Sequence, residues 1–157
     1  MRDKFNKFGV KNFVLEIDNL HPGYQDVSTI ILYASFQSLV DYVEEEMKLI
    51  EWSWNKEHSD CKKEMDLLYH WWKKIRPNRK EPYIDKSIWK GIKLPKHTFT
   101  KKDKDTWILD PPKYKNKEHQ KAVKNAWEQC RRREEEYAKE DEKMLQRLLK
   151  IKRMLWS

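Results

Sequence analysis

Five acidic side chains recur on helix-forming stretches at positions that can point inward. Asp41 and Glu45 lie four apart, Glu64 shares a helical face with Leu67, Leu68 and Trp71, and Asp141 falls with Glu134 inside an apolar stripe. A buried carboxylate without a partner costs several kcal/mol, so each must face water, meet a cation or carry a proton. Acids converging from separate helices could hold Mg²⁺ or Mn²⁺, which prefer oxygen ligands. The competing expectation is a set of salt bridges to cations such as Arg147 or Lys152, with the acids fixing helix register. A di-iron bundle of the familiar kind is disfavoured, because Glu-x-x-His occurs nowhere in the chain.

The second chemistry is electrostatic. Between Lys73 and Asp105 stand 12 Lys and Arg against 4 Asp and Glu, an excess equal to the +8 of the whole 157-residue chain. Tyr83, Trp89, Phe99 and Trp107 are interleaved with these cations, the composition that single-stranded nucleic acid sites use: charge for phosphates, rings for bases. Lys73, Lys74, Arg76, Arg79, Lys80 and Lys90 are the expected contacts to phosphates or acidic side chains, with Trp89 and Trp107 stacking. Nucleic acid or an acidic protein surface is thus the expected partner. The alternative is a solvated loop whose aromatic residues anchor it and whose lysines keep it soluble. In "LLYHWWKKIRP", Leu68, Trp72 and Ile75 belong to a core stripe and Trp71 to its flank, so both rings are expected to pack, leaving His70, Lys73 and Lys74 outward.

Nucleophilic catalysis has no visible support. The five histidines show neither triad nor metal-ligand spacing, and GxSxG, Walker and GxGxxG patterns are absent. The expectation is therefore a non-enzymatic binding module without a cofactor that recognises a polyanion (nucleic acid or nucleotide) or a bacterial host protein, with an Mg²⁺-dependent nucleotide hydrolase using Asp41, Glu44, Glu45 and Glu64, and a virion structural component, as alternatives. Asp41-x-x-Glu44, followed after twelve intervening residues by Glu57-x-x-Asp60, is similar to the paired acid motifs with which all-helical nucleotide pyrophosphatases hold Mg²⁺. Asp replaces the first Glu of that pattern, and the second pair sits at a polar helix start, where acids are expected for capping alone.

The elements that must position these groups are helices. Residues 26–50 lack Gly and Pro, and Leu32, Phe36, Leu39, Val43, Met47 and Ile50 recur at three and four. Residues 57–76 carry Cys61, Met65, Leu68, Trp72 and Ile75 at the same spacing, and Pro77 is expected to end them. From 115 to 156 a stripe from Val123 through Trp127, Cys130, Tyr137 and Leu148 to Leu155 alternates steps of four and three. The fold class is all-α: an antiparallel helical bundle with a long C-terminal helix. Residues 1–20 form an N-terminal arm, helical or extended, and 21–157 a single helical domain. Within it, 77–114 form an irregular basic wrap with five of the six prolines, ordered by its apolar side chains and holding a short helix near Ile84 to Lys90.

Eight tryptophans and 13% aromatic residues point to a lean aromatic core rather than disorder. A helix of about 40 residues is roughly 60 Å long, against a diameter of roughly 40 Å for a compact domain of this size. Either it breaks near "RRREEEY" or a second copy packs along it; a homodimer is expected. Cys61 and Cys130 read as free thiols in a reducing setting. "MRDKFNKFGV" is too polar for a signal peptide, and no stretch approaches the ~20 apolar residues of a membrane span.

The segments "SFQSLVDYVEEE", "LYHWWKKIRPNRKEPY" and "EYAKEDEKMLQRLLKIKRMLW" resemble a family of small uncharacterised proteins of tailed bacteriophages, over about residue 20 to the end. The resemblance implies a viral protein acting in the cytoplasm of an infected bacterium, or one packaged in a virion. It brings with it no activity, cofactor or binding residue.

Overall fold

A computed structural model describes residues 2–5, 11–14, 17–20 and 23–155. The chain is mostly helical and resolves into two compact units, residues 1–79 with 139–157, and residues 80–138.

In the first unit, part of the N-terminal arm is extended: β1 (Arg2–Phe5) pairs antiparallel with β2 (Lys11–Val14), Arg2 opposite Val14. Helix α1 (Val27–Asp41) passes without a break into a π turn (Tyr42–Glu46) and a 3-10 turn (Met47–Leu49). The Trp52 indole N–H closes this end by donating to the Met47 carbonyl at 3.1 Å. Helix α2 (Lys56–His70) starts at Asn55, whose side chain accepts from the His58 amide at 2.9 Å, a cap that satisfies one of the free N–H groups of the first turn. It too runs into a π turn (Trp71–Ile75), and Pro77 falls in the 3-10 turn (Arg76–Asn78) that follows.

These π turns correct the sequence reading. A π turn takes more residues than an α turn, so the stripe drifts off its 3.6-residue phase: Ile50 and Ile75 come out exposed, while Trp71, assigned to the flank, is buried. The core of this unit centres on Phe36, Leu39, Met65 and Leu68 with Leu148 of the last helix. Phe36 stacks on Trp72 (centroids 4.6 Å apart, planes 11°) and meets Trp71 at 5.2 Å. Three large aromatic groups thereby do the work of many aliphatic ones.

Helix α3 (Lys117–Leu155) is a single helix of 39 residues, about 58 Å long. Asn116 caps it, accepting from the His119 amide at 2.7 Å. It is continuous through Arg131–Glu136, so the break weighed there as the alternative to a second copy does not occur.

In the second unit the helix expected at Ile84 to Lys90 is absent. A 3-10 turn (Pro82–Ile84) leads to Asp85, whose carboxylate accepts from the Ser87 amide at 2.9 Å and hydroxyl at 2.8 Å. A side chain that captures the amide two residues ahead competes with helix formation, and Gly91 then turns the chain at φ +74. Ile88 packs with Ala126 and Cys130 of α3, flanked by Trp89 and Ile92. A hairpin follows, β3 (Phe99–Lys101) antiparallel to β4 (Trp107–Leu109), so the expected irregular segment contains regular structure. Both thiols are buried, and burial pushes them above the usual thiol value.

Candidate functional site

The acids proposed as metal ligands do not gather. Glu64 is held by two guanidinium nitrogens of Arg147, Nε and Nη2, at 2.6 and 2.7 Å, and these hydrogen bonds keep its carboxyl below the usual carboxylate range. Asp141 accepts from Arg76 at 3.1 to 3.3 Å and from Arg79 at 2.6 Å. Asp41 accepts from the Gln37 amide at 2.8 Å, and Glu45 lies exposed in the π turn after α1. Among the described residues no group of three or more His, Cys, Asp or Glu is placed to hold a metal ion.

The cations expected at the end of α2 divide by fate. Arg76 lies against the rings of Tyr33 and Trp72, 4.8 and 4.7 Å from their centroids, and donates to the Tyr33 hydroxyl at 3.0 Å. Arg79 spans Asp141 and Glu140, reaching Glu140 at 2.7 Å, and Glu140 also takes the Trp71 indole N–H at 2.9 Å. Burial raises the Glu140 carboxyl, but the bonds from Trp71 and Arg79 outweigh it, and the net shift is downward. Lys73 meets Glu44 at 3.0 Å, beside the Tyr69 hydroxyl. Arg76, Arg79 and Lys73 are therefore engaged by acids of their own unit. Lys74 is exposed and has no acidic partner among the described residues.

The second unit distributes its charge differently. Residues 80–138 carry 16 Lys and Arg against 10 Asp and Glu, a net +6. Three acids at α3 are matched: Asp85 accepts from Arg133 at 2.8 Å, Glu128 pairs with Arg131 and Arg132, and Glu134 accepts from the Tyr83 hydroxyl. By contrast Lys80, Lys90, Lys93, Lys96, Lys101, Lys102 and Lys104 are all exposed, and none pairs with an acid among the described residues. Trp89 is half-buried with its ring edge-on to Trp127 at 5.1 Å, so it packs the unit. Trp107, on β4, is 60% exposed.

No protein family, curated protein or solved structure matches this chain. The functional reading therefore rests on its own residues.

The hairpin is the feature that the helical periodicities passed over. All six strand residues are exposed, and Phe99 and Trp107 lie on one face with Lys101, whose ammonium stands 5.9 Å from the Trp107 ring centroid. A signal was present in "HTFTKKDKDTWILD": β-branched and aromatic residues flank a Lys-Asp turn. Asp103 closes that turn, accepting from the amides of Asp105 and Thr106 at 3.1 and 2.9 Å. In the described residues no helix is long and apolar enough to cross a membrane.

Proposed function

We propose that this chain is a non-enzymatic module that binds a polyanion through the exposed lysines of residues 80–138, centred on the β3–β4 hairpin. One contrast carries the reading: the arginines at the end of α2 are neutralised by carboxylates, whereas Lys90 to Lys104 stand in water without acidic partners among the described residues. Lysines left unmatched on one unit create a local positive potential that recruits anions and releases their counterions on binding. Lys80 and Lys90 extend the cationic surface, and Trp107 supplies an exposed ring. In this reading the helices form an antiparallel bundle. The resemblance of three segments to tailed-phage proteins supports an accessory role in an infected bacterium.

Charge reversal tests the proposal. The variant Lys101→Glu/Lys102→Glu/Lys104→Glu removes three positive charges from side chains exposed on the hairpin, so its melting temperature should stay close to that of the parent. Its affinity for a fluorescent oligonucleotide at low salt should fall by at least ten-fold. The dependence of log K on log salt should flatten by about 0.7 for each lost phosphate contact on a single strand. Unchanged affinity with unchanged slope rules out the hairpin as the binding surface.

A further inference from the structure

We infer that the face formed by Phe99, Lys101, Trp107 and Leu109 is a base-stacking platform, so that the polyanion is single-stranded nucleic acid. This deepens the polyanion reading above and rests on it.

The strand register dictates the face. Phe99 lies opposite Leu109 and Lys101 opposite Trp107, and side chains alternate along a strand, so these four share one side while Thr100 and Ile108 take the other. The side opposite the platform is tied down. The Asp110 carboxylate accepts from the Thr98 hydroxyl at 2.7 Å and the Thr100 hydroxyl at 2.8 Å. Together with the Asp103 turn, these bonds pre-organise a ribbon that buries none of its strand side chains, and pre-organisation lowers the entropic cost of binding.

Phe99 is 63% exposed and Trp107 60%, so each offers a ring to a ligand. As diagonal neighbours on an antiparallel pair they stand roughly 7–8 Å apart, close enough for adjacent nucleotides to use both. Lys101 above the indole, with Lys102 and Lys104 in the turn, supplies charge where phosphates would run.

Chemistry then separates single strands from duplex. Of Arg, Lys, Asn and Gln, the side chains that most often hydrogen-bond base edges in a major groove, the platform carries only Lys101, whose ammonium lies over the Trp107 ring. A duplex keeps its bases stacked on each other, leaving exposed rings nothing to stack on, whereas an unpaired base presents its face to any aromatic side chain without regard to sequence. An acidic protein surface would satisfy the lysines and leave the two rings unused.

The test compares four probes on the full-length protein: a labelled oligo-dT single strand, a duplex of equal phosphate number, heparin and polyglutamate. The single strand is expected to bind tightest. Trp107→Ala should weaken it about 5- to 150-fold, the range that one stacked base contributes, while leaving the salt slope unchanged. Trp107→Phe, which keeps a ring, should restore most of the affinity, and Trp54→Ala, at an exposed position in the other unit, should have no effect. Equal binding of duplex, heparin or polyglutamate with a silent Trp107→Ala overturns the platform and leaves the polyanion reading standing. Failure of every probe to bind at low salt overturns both.

Discussion

Phe36→Ala is expected to lower the free energy of unfolding by about 3–5 kcal/mol, the range for removing a buried phenyl ring. Three observations place it toward the upper end. Phe36 has no exposed surface, its ring is stacked on Trp72, and it also meets Trp71, so its loss opens a void between two indoles that cannot both collapse into it. Rigid rings fill a cavity less readily than methionine or leucine would. Since domains have only about 5–15 kcal/mol of total stability, the variant should unfold at markedly lower urea concentration, with a correspondingly lower melting temperature. A loss under about 1 kcal/mol in a urea titration would mean that the aromatic cluster is not the centre of this unit.

The second large effect belongs to Asp141. Its two oxygens hold Arg76 and Arg79, and the three side chains are only 19%, 20% and 13% exposed respectively. Removing one member of a buried ion pair typically costs about 3–5 kcal/mol, because the remaining charge is left uncompensated. Here partial solvent access lowers the expectation to about 2–3 kcal/mol for Asp141→Ala. Asp141→Asn, which keeps an acceptor, should lose less. Contacts with the Tyr33 and Trp72 rings remain available to Arg76 in either variant and oppose its moving into water. A double-mutant cycle between Arg76→Ala and Asp141→Ala measures the coupling directly by urea unfolding. A coupling below about 0.5 kcal/mol would reduce the cluster to an ordinary surface pair.

The helical framework was legible where one period persists. Helix α3 spans Lys117–Leu155 against a reading of 115 to 156, because 40 residues free of Gly and Pro with a strict four-three stripe admit few alternatives. The starts of α1 and α2 fell within one residue of expectation for the same reason. Their ends did not, since a π turn leaves no mark in composition and changes the phase of whatever follows it. The hairpin escaped notice because strand alternation is visible only when one face is buried, and here both are exposed.

Site residues divided along similar lines. The sequence singled out Asp141 and Glu64 as acids needing a partner and named Arg147 as one possibility. It could not pair Asp141 with Arg76 and Arg79, some 65 and 62 residues away, because such a pairing is made by tertiary packing. Trp89 and Trp107 read alike as aromatic residues in a basic stretch. Only the packing of Trp89 against Trp127 distinguishes the wedge from the exposed ring.

The most direct measurement maps the ligand onto the chain: backbone amide spectra of isotopically labelled, full-length protein recorded during titration with an oligo-dT single strand. Perturbations should concentrate at Phe99–Lys104 and Thr106–Leu109 and extend to Lys90 and Lys96, while the amides around Phe36 and Met65 stay in place. Perturbations confined to Lys73–Arg79, or none at all at saturating oligonucleotide, would contradict the assignment of binding to the hairpin.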